Sequence, residues 1–94
     1  MGKEITDYFE VPQGWGRLYV GDLPIDTGPI RVGDTVTVKI APDVELYIKV
    51  ETIGPQLAGV LVAIGPRPRI KYGPWKVEDR VTVAEPAVHA VIRR

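Results

Sequence analysis

The chain has 94 residues, with 12 Lys plus Arg against 12 Asp plus Glu and a formal net charge of zero, which describes one small electroneutral domain. It contains no Cys, Ser or Asn, so disulfides, thiolate metal centres and Ser or Cys nucleophiles are excluded. Val, Ile and Thr number 14, 9 and 6, and with nine Pro and ten Gly they specify pleated strands joined by turns.

Met1 to Asp7 carries acids and no apolar run, so no leader peptide is expected, and no stretch reaches the roughly 18 apolar residues of a membrane span. A cytoplasmic protein is the expectation. Residues 1–16 mix charge with Tyr8, Phe9 and Trp15 and read as an N-terminal extension ending in a Gly-Trp-Gly turn. Arg17 to Val20 is a first short strand, followed by a loop from Gly21 to Gly33 with Gly-Asp, Leu-Pro and Gly-Pro turn signals.

From Asp34 onward Val36, Val38 and Ile40 alternate with Thr35, Thr37 and Lys39, the pattern of a half-buried strand. After Ala41-Pro42-Asp43 the alternation resumes, with Val44, Leu46, Ile48 and Val50 facing one way and Glu45, Tyr47, Lys49 and Glu51 the other. The two runs predict a hairpin. Ile53 falls out of phase, which predicts a bulge or bend between Thr52 and Pro55.

The next run, Gln56 to Ile64, is apolar on both parities. If Val60, Val62 and Ile64 face the core, Leu57 and Leu61 need a second cover, and a homo-oligomer interface is expected to supply it. A Pro-rich basic stretch from Gly65 to Lys76 follows, then a strand around Val81 and Val83, a turn at Glu85-Pro86 and a closing segment in which Val88, Ala90 and Ile92 fit a strand, the favoured reading, and Val88, Val91 and Ile92 a short helix. A repeat runs through this pattern: Gly28 to Val38 matches Gly73 to Val83 in seven of eleven positions. Asp34 and Asp79 occupy equivalent places before a strand, where an Asp carboxylate bonds turn amides.

About six short strands with Pro and Gly turns describe an all-β domain, and an SH3-like barrel with an N-terminal extension suits the spacing best. An OB-like or cochaperonin-like small barrel is the alternative. Ala58 to Gly65, Lys76 to Val83 and Ala87 to Ile92 together resemble the second half of the ten-kilodalton cochaperonins, over about a third of the chain. That pattern is generic to small barrels. About 30 residues precede the first strong strand and no long loop with an apolar tripeptide is evident, so the resemblance implies a small barrel and not family membership.

Chemistry has few places to reside. His89 is the single imidazole and only carboxylates could join it, so no metal or cofactor is expected and His89 reads as an exposed strand residue. Glu45, Glu51, Glu78 and Asp79 read as solvating charges, and no Gly-rich phosphate loop is present, so a non-enzymatic protein is expected. Charge is distributed unevenly: residues 1–60 carry 5 basic and 9 acidic side chains, whereas 61–94 carry 7 and 3. Within the basic half, Pro66 to Lys76 reads as an extended segment with Arg67, Arg69 and Lys71 on one side and Ile70 and Tyr72 on the other. Trp15 and Trp75 fall beside turns at a barrel rim.

The expected function is a binding module that works through protein-protein contacts, self-association at Leu57 and Leu61 included. Its partner-binding residues are expected to be Arg67, Arg69, Lys71, Tyr72, Trp75 and Trp15. The alternative is a nucleic-acid module in which the same cations meet phosphates and the same rings stack on bases.

Overall fold

The computed structural model describes residues 2–11 and 16–93. Within them run the strands β1 (Lys3–Ile5), β2 (Leu18–Gly21), β3 (Thr35–Ala41), β4 (Val44–Ile53), β5 (Leu57–Gly65), β6 (Lys71–Tyr72), β7 (Trp75–Lys76), β8 (Arg80–Val83) and β9 (Val88–Arg93), with a 3-10 turn at Glu85–Ala87 before the last. Seven strands form one mixed sheet in the order β1-β8-β5-β4-β3-β9-β2, and β6 and β7 form a separate hairpin. No helix among the described residues is long and apolar enough to cross a membrane.

The all-β class is as the composition requires, but the sheet is not closed into a barrel. Closure needs a ladder between the end strands with a consistent stagger. Here the end strands are short: β1 has three residues parallel to β8 and β2 has four parallel to β9, and they lie at opposite ends of the order. One apolar cluster nonetheless draws on β1, β3, β4, β5, β8 and β9 together, including Ile5, Val38, Leu46, Leu61, Val83 and Val91. A single sheet buries side chains from both of its ends in one cluster only by curling around that face.

The β3–β4 hairpin follows the alternation. Val44, Leu46, Ile48 and Val50 are buried while Glu45, Tyr47, Lys49 and Glu51 are not, and Ala41 pairs with Val44 across the Pro42-Asp43 turn. The ladder to β5 slips between Val50 and Thr52, next to the segment where Ile53 breaks phase. Gly59 sits at this slip, where an added Cβ would lie 2.0 Å from the Lys49 carbonyl oxygen. Only a residue without a side chain lets the two backbones come so close.

A second slip in the same ladder overturns the expected inward face of β5. Leu46 pairs with Ile64 and Tyr47 with Ala63, but Ile48 pairs with Leu61, so Val62 is the extra residue of a bulge. Parity therefore changes within the strand: Leu57 and Leu61 point inward before the bulge and Ile64 after it. Both leucines are fully buried within one chain, and Val62 is 43% exposed. Leu57 and Leu61 thus need no second subunit and are not available to an oligomer interface.

Residues 3–9 of the expected extension likewise pack into the domain. Ile5 belongs to the core, Tyr8 packs against it, and the Phe9 amide donates to the Lys39 carbonyl at 2.7 Å. His89 lies at an irregularity in the β3–β9 ladder, between Val88 opposite Val38 and Ala90 opposite Thr37. Its Nε2 meets the Phe9 carbonyl at 2.6 Å, so it is half-buried and fastens the N-terminal segment instead of facing solvent.

Candidate functional site

The repeat seen in the sequence is a repeated turn. The Asp34 carboxylate accepts the Arg31 amide at 2.8 Å and the Asp79 carboxylate accepts the Lys76 amide at 2.9 Å. Residues 33 and 78, one before each Asp, have φ of +97° and +83°. Both turns also dock identically on a neighbouring strand. Gly33 donates to the Val50 carbonyl and Val50 to that of Asp34, and Glu78 donates to the Leu61 carbonyl and Leu61 to that of Asp79. The likeness ends with the turn and the strand it launches, because β3 pairs with β9 and with the β4 that follows it, whereas β8 pairs with β5 and β1 and not with the β9 that follows it.

The second turn is the base of the basic hairpin. Lys3 Nζ reaches both the Asp79 carboxylate at 3.0 Å and the Pro74 carbonyl at 2.8 Å, tying the hairpin to β1. The bond from Lys3, aided by the Lys76 amide, holds the Asp79 carboxyl below the usual carboxylate range. Above this base the hairpin turns at Gly73, φ +56°, and Tyr72 pairs with Trp75. Both rings pack against the core, so they cap its end. The Arg69 guanidinium lies over the Tyr72 ring at 5.3 Å from its centre.

Ile70 does not share the inner side with Tyr72, as an uninterrupted strand would require. The extended pairing begins only at Lys71; before it, the Arg69 amide bonds the Ile64 carbonyl and the Ile70 carbonyl accepts from Val77. The resulting bend leaves Ile70 78% exposed. Arg67 and Lys71 are exposed beside it, and Arg69 is half-buried.

Among the described residues Arg17, Arg31, Arg80 and Arg93 each pair with a carboxylate. No ion pair among them involves Arg67, Arg69, Lys71 or Lys76. Lys39 on β3 and Lys49 on β4 also lack an ion pair among the described residues, but cations without one are concentrated on this hairpin. Of the expected site residues, Arg67, Arg69, Lys71, Tyr72 and Trp75 therefore come together on one hairpin, the rings beneath and the charges outside. Trp15 lies outside the described residues. Lys76 and Ile70 join the surface without having been expected there; the signal for Lys76 was its place in the same charge run.

A second feature surrounds Arg93. Its Nε donates to the Asp34 carboxylate at 3.1 Å, Nη2 to the Gly28 carbonyl at 2.8 Å, and the two Nη groups also reach the Asp26 and Pro29 carbonyls. Tyr19 lies under the guanidinium at 5.4 Å. Arg93 thus fixes the loop 26–34 to β9. A cavity of about 260 Å³ opens beside it, lined by Val20, Asp22, Ile25, Asp26, Asp34 and Arg31 among others. Asp26 is bound by Arg31 at 2.6 Å and by the Gly28 amide, which together lower its pKa. Asp26 and Asp34 are both committed to guanidinium partners, and the Glu85 carboxylate pairs with Arg17 and not with His89. The described residues hold no group of three or more His, Asp or Glu placed to bind a metal ion.

No protein-family model, curated protein or solved structure matches the chain.

Proposed function

We propose that this chain is a non-catalytic binding module that acts through protein-protein contacts, taking an acidic and partly apolar segment of a partner on the hairpin 66–76. The observation that carries the reading is the set of four cations, Arg67, Arg69, Lys71 and Lys76, without ion-pair partners among the described residues, on the same segment as the exposed Ile70. Every other described Arg is paired within the fold, so this is where unsatisfied positive charge is concentrated. An exposed aliphatic side chain flanked in the chain by cations matches a partner that alternates acids with apolar residues.

Nucleic acid is the rival reading, and the rings favour it less. Stacking on bases needs an open aromatic face. Tyr72 and Trp75 spend one side on the core, and Arg69 covers Tyr72. Magnitudes make the contact weak: exposed ion pairs contribute roughly 0.2 to 1 kcal/mol each. Burying Ile70 adds about 1.5 to 3 kcal/mol, against an association cost of at least about 4. At most about 3 kcal/mol remains, so a transient complex with a dissociation constant in the millimolar range follows.

The test uses Trp75 fluorescence in a Trp15→Phe background, at low salt. The titrants are a peptide of repeating Glu-Leu-Glu-Gly, its Gln-for-Glu analogue and a short oligo-dT. The acidic peptide is expected to bind, the Gln analogue not, and the Arg67→Ala, Arg69→Ala, Lys71→Ala triple variant is expected to lose the response. Tighter binding of oligo-dT, with a salt slope of about minus 0.7 per phosphate, would transfer the surface to nucleic acid. No response to any titrant at millimolar concentration would remove the proposal.

A further inference from the structure

The two ends of the sheet differ in a way that points to a second interaction surface, independent of the hairpin. At one end β1 carries Lys3, ion-paired to Asp79, and Glu4, which accepts from the Gln56 amide at 3.0 Å. Charges along an end strand discourage pairing with another chain. At the other end β2, Leu18–Gly21, contains no charged residue, no Pro and no bulge, and its register with β9 runs unbroken from Leu18 opposite Ala90 to Gly21 opposite Arg93. Among the described strands β2 pairs with β9 alone, so one of its two hydrogen-bonding edges faces outward. Its side chains divide cleanly: Tyr19 packs on the core, whereas Leu18 is 64% and Val20 44% exposed.

We propose that β2 is a homodimer interface, formed by antiparallel pairing of β2 with β2 of a second copy across a two-fold axis perpendicular to the sheet. Such an axis keeps the core face of both sheets on one side, so outward residues meet outward residues. Centred on Tyr19, the register sets Leu18 of each copy opposite Val20 of the other, joining four apolar side chains in one cluster on the outer face. This register brings no like charges together at the ends of the strand. Arg17 stands opposite Gly21 of the other copy and Asp22 opposite Gly16, while Arg17 keeps its own Glu85 as partner. An extended segment of some other protein could use the same backbone edge. The repeated Leu-Val contact favours a second copy, because one strand satisfies it twice.

The interface is small, so the dimer is expected at high concentration. Sedimentation velocity from about 10 µM to about 1 mM is expected to give a mass rising from 10.4 kDa toward twice that value. Leu18→Lys, at an exposed position that leaves the fold intact by circular dichroism, is expected to raise the dissociation constant at least about tenfold, since the axis applies each substitution twice. In the native chain, amide exchange at Leu18 to Gly21 is expected to slow with concentration while that at Lys3 to Ile5 does not. Leu18→Lys leaves the hairpin's response to the acidic peptide unchanged, which separates this interface from the binding surface. A monomer at every concentration overturns the proposal, as does a Leu18→Lys variant that dimerises like the native chain or protection that appears at β1 instead.

Discussion

Gly33 and Glu78 fill the same place in the two Asp turns, and replacing each should move stability in opposite directions. Gly33 has φ of +97° and an added Cβ there meets nothing within 4 Å, so Gly33→Ala tests torsion alone. A left-handed backbone costs an L-residue about 1 to 2 kcal/mol. The less flexible unfolded chain returns about 0.4 to 1 kcal/mol. The net expectation is a loss of roughly 0.5 to 1.5 kcal/mol, a fall in Tm of several degrees for a chain of this size. Glu78 has φ of +83° with a side chain already in place, so Glu78→Gly relieves the same strain and is expected to be neutral or to stabilise by up to about 1 kcal/mol. Urea unfolding followed by circular dichroism measures both, with unchanged m values as the check that the unfolded state is comparable. A Gly33→Ala variant as stable as the native chain, or a Glu78→Gly variant weakened by more than about 1 kcal/mol, would refute the equivalence of the two turns.

Three other outcomes follow from the packing. Leu61→Ala removes a fully buried side chain and is expected to lose about 2 to 5 kcal/mol, whereas Val62→Ala, on the bulge, should lose under about 1; equal losses in urea unfolding would contradict the parity change in β5. Arg93→Lys is expected to lose roughly 2 kcal/mol or more of unfolding free energy, because an ammonium cannot serve the Asp34 carboxylate and the 26–29 carbonyls together as a planar guanidinium does; full retention of stability would deny Arg93 its fastening role. Asp26 and Asp79 have pKa values lowered in the fold, so their stabilisation is present above the ordinary carboxylate pKa of about 3.9 and is lost as pH falls through their folded values. Tm should therefore drop below about pH 4, and Asp79→Asn should flatten part of that drop; a Tm unchanged down to pH 2 would contradict both ion pairs.

The sequence carried the local structure well where one face is buried and the other is not. The β3–β4 hairpin is legible in the alternation of Val44 to Glu51, and the Asp turns are legible in the repeated Gly-Pro and Val-x-Asp positions. In β5 alternation fails as a guide, since both parities are apolar and a bulge at Val62 exchanges them; nothing in Gln56 to Ile64 marks which residue is extra. Whether the sheet closes is equally illegible, because it depends on a long-range stagger between β1 and β2 and not on either strand's composition. Lys3 and Ile5 were hidden for a similar reason: a three-residue strand paired to a segment over 70 positions away leaves no periodicity to read. The basic hairpin was visible as a charge run, but its arrangement was not, since the exposure of Ile70 comes from the bend between the Ile64 and Val77 bonds.

The most direct test of the hairpin as a protein-docking surface is an amide chemical-shift map of the native chain titrated with the Glu-Leu-Glu-Gly peptide. The expected perturbations lie at Arg67 to Lys76, centre on Ile70 and weaken as salt is raised from about 20 to about 200 mM. Shifts confined to β2 or to the cavity beside Arg93, or none at millimolar peptide, would contradict the assignment of this surface.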